Sequence, residues 1–196
     1  MATNVSKFAA SIGKSGLASA NKFKVEFTRL PDAVQALMDL TQLSLMCETA
    51  SLAGRNVQST LDRQYGVNRE VAYNGPTYTP ITLSFLMSAD YSEKKLFDRW
   101  NDKAVSITQG FNVSYYDDYC GTMSVIALGR DGDETKVKHK QTYFECWPKT
   151  VAAIELNHST QNAAVKLTVE MQYAYWETIE IKTTNTSLFH KFTKAT

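Results

Sequence analysis

The sequence predicts a mainly β fold, an antiparallel β-barrel or sandwich with one flanking α-helix. Apolar and polar residues alternate over several segments, which is typical of half-buried strands. A single segment, residues 91–104, has its apolar residues at helical spacing instead. The chain of 196 residues contains no internal repeat and no shift in composition that would mark a second domain. Its length therefore indicates one domain with one hydrophobic core.

The first predicted strand covers residues 22–28, where Phe23, Val25 and Phe27 share one face. A break at residues 30–32 ends it, because proline and aspartate there favour a turn. Residues 33–40 then fit either a short helix or a loop excursion. Residues 43–50 are interpreted as a second strand, with Leu43, Leu45 and Cys47 on the same face.

Residues 57–80 are too polar for a core element and too long for an ordinary connection. They contain charged side chains and the turn signal NGP at residues 74–76. We therefore expect a long β-hairpin that projects from the domain. Its polar side chains are Asp62, Arg63, Arg69, Glu70 and Asn74.

One helix follows a strand at residues 81–87. Asp90 and Glu93 have the spacing of a capping box, with Asp90 as the N-cap. The helix over residues 91–104 places Leu96, Phe97 and Trp100 on one stripe, which predicts a helix packed on a sheet.

The second half of the chain is read as successive strands. The turn at residues 130–133, RDGD, favours a hairpin because glycine tolerates positive φ, and Trp147 with Pro148 is expected to end a strand. Residues 165–175 give the cleanest alternation in the sequence. The predicted strands are residues 113–119, 122–128, 136–144, 151–156 and 165–175.

These elements divide the chain into three regions. Residues 1–21, rich in Ala, Ser and Gly, are expected to form an N-terminal arm, since Lys14 interrupts their apolar run too early for a secretion signal. Residues 22–177 form the β domain, including the hairpin at about 57–80. Residues 178–196 are a polar C-terminal extension rich in Thr and Lys.

Charge and cysteine content exclude several classes of protein. The 21 basic and 20 acidic residues leave a net charge of +1, which argues against binding of nucleic acid through an overall basic field and leaves little repulsion between copies. Three widely spaced cysteines do not suggest a disulfide framework. No apolar run approaches the roughly 20 residues of a membrane helix.

No catalytic motif is present, and the sequence predicts no metal site and no cofactor. His139, His158 and His190 are far apart and fit ordinary surface positions. Asp117 and Asp118 are expected to be strand neighbours that point to opposite faces, and so cannot act as an acid/base pair. A remote alternative is a soluble β-domain enzyme.

That enzyme would use Cys146, His139 and Asp133. A reactive cysteine needs a basic partner, and the sequence identifies none beside Cys146. A surplus of aromatic residues in the strands instead favours self-assembly through strand edges, because interfaces are enriched in Tyr, Trp and Phe. These aromatics are Phe111, Tyr115, Tyr116, Tyr119, Phe144 and Trp147.

Several segments, in order and spacing, resemble the tail-tube proteins of contractile-tailed bacteriophages. The resemblance runs from about residue 43 to residue 177. Ala53 stands where the family pattern has proline, and the tail beyond Glu177 is longer than in short members. The segments are LSLMCETASLAG (43–54), YG (65–66), YNGPTYTP (73–80), ITLSF (81–85), KLFDRW (95–100), WPKTV (147–151), EL (155–156) and YAYWE (173–177).

The resemblance implies a tail-tube fold, related to the tube protein of type VI secretion, and a structural role in a virion. Six protomers would form a ring with a continuous inner barrel, and the rings would stack into a tube assembled in the host cytoplasm. Sheath, baseplate and terminator proteins would be the partners, and DNA would pass through the lumen without sequence specificity. A baseplate tube initiator or tail terminator of the same fold is the alternative.

Two sets of residues are expected to serve this assembly. The hairpin residues Asp62, Arg63, Arg69, Glu70 and Asn74 would contact the neighbouring ring, as would the N-terminal arm. Thr168, Glu170 and Gln172 are predicted to face the lumen, where polar or acidic side chains let DNA slide. The rival row lies on a neighbouring strand and consists of Thr122, Ser124 and Ile126.

Overall fold

β-Strands account for most of the regular structure in the computed structural model, which describes residues 5, 7, 12–13, 16–63, 66–107, 110–129, 131–133, 137–159 and 163–179. The mainly β prediction is confirmed. The strands are β1 (Phe23–Arg29), β2 (Cys47–Ala50), β3 (Asn56–Asp62), β4 (Arg69–Thr77), β5 (Ile81–Leu86), β6 (Val105–Ser106), β7 (Asn112–Val113), β8 (Gly121–Leu128), β9 (Val137–Val151), β10 (Lys166–Gln172) and β11 (Tyr175–Ile179). The helices are α1 (Asp32–Gln35), α2 (Leu40–Leu45), α3 (Ser92–Ala104) and α4 (Tyr116–Tyr119).

Seven strands form one antiparallel sheet in the order β1-β8-β9-β10-β5-β2, with β11 pairing to β9 as well. Phe27 of β1 lies 6.5 Å from Phe85 of β5, measured between ring centroids, although three strands separate β1 from β5 in the sheet. The sheet therefore curls around a common core. Within the described part of the chain no pairing joins β1 to β2, so the sheet stays open.

The sheet changes direction at a bulge in β9. Glu145 has a φ of 53°, and the register with β8 shifts beside it, as expected for an extra residue in one strand. Residues 137–146 pair with β8, whereas residues 147–151 pair with β10. Strands β10 and β11 are interrupted at the same level, at Tyr173 and Ala174. Strand β9 and the neighbouring chain of β10 and β11 thus bend at the same level.

This bend corrects two sequence-based predictions. Trp147 and Pro148 do not end a strand, because β9 continues to Val151. Pro148 has no N–H to donate to a neighbouring strand, and it is tolerated because it lies beside a second register shift, with β10. Residues 165–175 are not one strand, because the chain must turn opposite the Glu145 bulge.

The core lies inside the curled sheet and under α3. Leu167, Val169 and Met171 of β10 are fully buried, as the predicted alternation requires. Trp100 of α3 is also fully buried, and its indole N–H donates to the Tyr119 carbonyl oxygen at 2.6 Å. The helix predicted from its aromatic stripe therefore packs against the sheet.

The segment predicted as a strand at residues 43–50 begins as helix α2. Asp39 caps it by accepting a hydrogen bond from the Thr41 N–H at 2.9 Å. Residues two apart on a helix point in different directions, so Leu43 is buried while Leu45 is exposed. Only Cys47–Ala50 forms a strand. The segment at residues 33–40, for which the sequence allows a helix or a loop, lies partly in α1, which covers Asp32–Gln35.

The start of α3 differs from the predicted capping box. Tyr91, with a φ of 54°, is the N-cap residue in place of Asp90. Glu93 is therefore the second helical residue, whereas a capping box needs Glu at the third. Glu93 reaches back instead to Ser88, accepting from its N–H at 3.0 Å and from its hydroxyl at 2.9 Å.

Residues 113–119 are not a strand. The Ser114 hydroxyl donates to the Lys103 carbonyl oxygen at 2.7 Å, which ties the chain to the end of α3. A turn closed by Asp118 N–H and the Tyr115 carbonyl oxygen, at 3.0 Å, then starts α4. Asp117 and Asp118 therefore lie on one helical turn and not on opposite faces of a sheet.

Candidate assembly surfaces

Strands β3 and β4 form a two-stranded hairpin that pairs only with itself among the described residues. Nearly every residue of the two strands is exposed, with Asp62 partly covered. A two-stranded ribbon buries too little surface to be stable alone. The hairpin is therefore a projection whose own contacts leave both of its faces available.

The structure places the five hairpin residues of interest on different parts of the ribbon. Asp62 lies directly opposite Arg69, and the Arg69 guanidinium donates to its carboxylate at 3.1 and 3.2 Å. Glu70 is on the other face, where its carboxylate accepts from the Ser59 hydroxyl. Arg63 is exposed at the end of β3, next to the turn between the strands.

Asn74 does not belong to the turn of the hairpin, contrary to the expectation from its NGP signal. It lies within β4, where the register with β3 shifts and three residues, 73–75, form an enlarged bulge. Its side chain stabilises this bulge by accepting from the Gly75 N–H at 2.8 Å. The turn preference of the NGP segment thus produces a bulge within β4 and not the turn of the hairpin.

Exposed apolar side chains accompany these polar ones, and the sequence reasoning did not single them out. Val57 and Leu61 lie on the face of Glu70. Val71 lies on the opposite face, and Tyr73, two residues farther along β4, is 75% exposed. A weak alternation of apolar and polar residues within residues 57–73 could have indicated these side chains, but the charged residues between them obscure the pattern. Both faces of the hairpin therefore combine polar groups with apolar contact area.

A second exposed apolar surface lies on the small hairpin of β6 and β7. Val105 and Val113 are directly opposite each other, and Ile107 and Phe111 continue the two strands beyond them. Phe111 is 70% exposed. Of the aromatics predicted to be in excess, Phe111, Tyr115 and Tyr116 are exposed. Others are packed: Tyr119 meets Trp147 edge-on at 5.9 Å and Phe144 stacks on Tyr175 at 4.8 Å.

The predicted lumen row lies on the sheet face that points away from the core. Thr168, Glu170 and Gln172 are partly exposed and alternate with the buried residues of β10. Thr168 hydrogen-bonds with Ser84 at 3.1 Å, and Glu170 lies between Thr82 and Thr150 on the neighbouring strands. This face presents hydroxyl groups and also carries Lys166, whose ammonium is paired with the Glu48 carboxylate at 2.7 Å.

Two of the three residues of the rival row on β8 are buried, and Thr122 is partly exposed. Ser124 is 1% and Ile126 4% exposed. The cross-strand neighbours of Ile126 are Lys24 and Lys140. Both lysines also approach Glu26, at 3.3 and 3.8 Å between nitrogen and oxygen, and Glu177, opposite Thr142, lies on the same face.

The residues of the enzyme alternative do not form a site. Cys146 is fully buried, and burial raises the pKa of its thiol to about 12, which keeps it protonated. His139 precedes it by seven residues on the same strand, about 20 Å away at the rise of a β-strand. No group of metal-binding side chains occurs in the part of the chain that the structure describes. His158 is exposed, and His190 lies outside the described residues.

Comparison with solved structures identifies the fold. The chain is similar to a cryo-EM structure of the PVC sheath-tube complex, an extracellular contractile injection system in the extended state, with a TM-score of 0.61 at 13% identity, covering 88% of this chain and 97% of that chain. It is similar to the anti-feeding prophage baseplate, with a TM-score of 0.60 at 14% identity over 86% and 99% of the two chains. The anti-feeding prophage cap gives 0.58 at 14% identity over 84% and 91%. No curated protein sequence matches the chain.

These likenesses define the class: the fold is that of tube-type proteins of contractile injection systems. The family model for phage tail tube proteins matches residues 18–179, and the chain belongs to this family. Family membership indicates a structural component of a virion and not an enzyme. None of the helices within the described ranges is long and apolar enough to cross a membrane.

Proposed function

We propose that this protein is the repeating subunit of the inner tube of a contractile phage tail. Six copies form a ring, the rings stack, and the tube conducts DNA during ejection. The observation that carries the proposal is the exposed β3–β4 hairpin, which projects from a tube-family domain and pairs only with itself among the described residues. A projection of this kind needs a neighbouring subunit to cover it.

Ring formation would use the strand edges. Strands β1, β2 and β11 each pair with one neighbour in the described sheet, so each has an edge that another protomer can cover. Head-to-tail contacts between identical subunits close into a ring when the rotation between them allows it. The open sheet of one chain then becomes part of a continuous inner barrel.

The lumen wall is proposed to be the face that carries Thr168, Glu170 and Gln172. Besides its hydroxyl groups and carboxylate, this face carries one lysine, Lys166, which is paired with Glu48, so it offers no array of cations to hold phosphates and DNA can slide. In the rival row, Ser124 and Ile126 are buried, so these two side chains present little surface to a lumen. This contrast supports the first assignment.

Stacking between rings is assigned to the hairpin, with Asp62, Arg63, Arg69, Glu70 and Asn74 as its polar contacts. Residues 1–21 would form an arm that reaches the same neighbouring ring, and residues 178–196 an extension of the domain. The apolar groups Val57 and Leu61 add contact area, because interfaces of assembled proteins bury apolar surface at their centre.

Sheath, baseplate and terminator proteins are the proposed partners. The similar structures are a sheath-tube complex, a baseplate and a tube-terminating cap, which supports partners of these kinds for this chain. The tube would be assembled in the host cytoplasm and carried in the virion. Because the cap structure is nearly as similar as the tube structure, a tail terminator or baseplate initiator is the second candidate.

Electron microscopy of the purified protein separates these functions. A tube subunit gives stacked rings that grow with concentration, and a terminator or initiator gives single rings that do not elongate. A monomer that turns over a substrate would contradict both.

The hairpin's role can be tested by shortening it at matched register positions. Asn56 and Thr77 are cross-strand partners, so replacing residues 57–76 by Asn-Gly closes the ribbon at its base. We expect single rings with an almost unchanged melting temperature, because the removed residues lie outside the core. Replacing only residues 63–68, between the partners Asp62 and Arg69, is the graded control. Normal tubes from the longer deletion would contradict the stacking role.

A further inference from the structure

The two legs of the hairpin enter the domain over one group of buried polar side chains. On the first leg, the Ala53 N–H donates to the Tyr143 hydroxyl at 3.0 Å and to the Gln141 side-chain oxygen at 3.1 Å. The Tyr143 hydroxyl in turn donates to the same Gln141 oxygen at 2.7 Å. One backbone amide of the leg is thus held by two side chains of β9.

Burial makes this contact more than a surface hydrogen bond. Tyr143 is fully buried and Gln141 nearly so. Buried amide and hydroxyl groups are costly unless they are hydrogen-bonded, and here the segment before the hairpin supplies their partner. Farther along the same leg, the Arg55 guanidinium lies 4.9 Å from the ring centroid of Trp176, a cation–π contact.

The second leg is held in a similar way. The Tyr173 hydroxyl donates to the Thr79 carbonyl oxygen at 2.9 Å, and the Tyr173 ring packs against Tyr78 with centroids 5.7 Å apart. The rings of Tyr173 and Tyr143 meet edge-on at 5.1 Å. The two anchors are therefore joined inside the core, at the level where β9 and β10 bend.

We propose that Gln141, Tyr143 and Tyr173 are positioning residues that fix the direction in which the β3–β4 hairpin projects. This inference rests on the proposed stacking function of the hairpin. The hydrogen bonds from these residues to the hairpin segment go to residues 53 and 79, which flank its two strands, and the three residues act through them.

The length of the hairpin explains why its direction matters. Strand β3 has 7 residues, and at about 3.3 Å per residue the ribbon extends about 23 Å from its base. A rotation of about 10° at the base then moves the tip by about 4 Å, which is as large as a van der Waals contact distance. A loosened base would leave the hairpin folded but misplaced for a neighbouring ring.

The experiment removes single hydroxyl oxygens and measures two things separately: hydrogen exchange at the base of the hairpin and tube formation. The variants are Tyr143→Phe, Tyr173→Phe and the double variant; Tyr175→Phe, on the stacked Phe144–Tyr175 pair, is the matched control. Hydrogen exchange followed by mass spectrometry on the unassembled subunit reports the peptides that cover residues 51–56 and 77–80, with the β8 peptide as an internal reference.

We expect exchange in the two base peptides to rise about 2- to 12-fold for each hydrogen bond removed, with no change in β8. Tube formation by the double variant should fall sharply and that of Tyr175→Phe should not. Unchanged exchange would overturn the anchoring, and faster exchange with normal tubes would overturn the positioning role. If the hairpin-deleted protein also forms normal tubes, the proposed function fails, whereas the exchange data still report whether the anchors exist.

Discussion

Replacing Gly121 by alanine should destabilise the domain through one close backbone approach. A Cβ at this position would lie 2.6 Å from the carbonyl oxygen of Arg29 in β1, and 3.1 and 3.2 Å from two ring carbons of Trp100. The first distance is shorter than real Cβ contacts, and its partner is backbone. Trp100 is fully buried and cannot move away, so β1 and β8 must separate at this end.

The size of the effect follows from comparable overpacking. Inserting a methyl group into a filled site costs about 1 to 3 kcal/mol. For a domain of this length, about 2 to 4 °C is lost per kcal/mol, so the melting temperature should fall by about 2 to 12 °C. The measurement is thermal unfolding of the unassembled subunit by circular dichroism, supported by urea titration.

Gly54→Ala is the matched control for this prediction. A Cβ at Gly54 meets no atom within 4 Å, so the same chemical change should alter the unfolding free energy by less than about 0.5 kcal/mol. Equal melting temperatures for the two variants would refute the reasoning, because the close approach of β8 to Arg29 would then not constrain the fold.

Two further predictions concern the lumen and the ionisation of buried groups. Glu170→Lys should leave tubes intact but impair DNA passage, because a cation on the partly exposed face of β10 in every subunit would attract phosphate; normal infectivity of phage carrying this variant would place Glu170 elsewhere. Burial raises the pKa of Cys146 and of Tyr143 to about 12, from 9.0 and 10.0 in the unfolded chain, so folded protein holds these protons at a pH where unfolded protein has lost them. Stability should therefore fall as the pH rises from about 9 to about 12. Cys146→Ala should weaken that fall, and identical pH profiles of the melting temperature in the two proteins would contradict the assignment.

Local patterns were enough to predict the elements that bury one continuous face. The strand around Val25 and the helix around Trp100 each bury one continuous face, so their periodicity survives in the sequence. Leu43 and Cys47 continue this alternation, yet Leu43 lies in a helix capped by Asp39 and Cys47 begins β2. The helix forms there because α2 packs against β1 and the Ser44 hydroxyl donates to the Val25 carbonyl oxygen. Tertiary contacts there override the alternation.

The assembly surfaces were only partly predictable for a related reason. An exposed hairpin can be inferred from a long polar segment, and Asp62 opposite Arg69 follows once the register is known. Its base could not be inferred, because Ala53 meets Tyr143 across 90 residues of sequence. Nothing in the local sequence distinguishes Tyr143 from any other strand tyrosine.

Local sequence patterns are enough to assign this protein to a class: a mainly β domain of the tail-tube family, with a near-neutral charge that leaves little repulsion between copies. Alternation, turn residues and segment order are local properties, and they can be recognised in the sequence without the fold. The positions where the sheet bends, at Glu145 and Tyr173, and the side chains that hold the hairpin are known only from the folded chain. Bends and anchors depend on strands distant in sequence being packed together, and that information exists only when the core has formed.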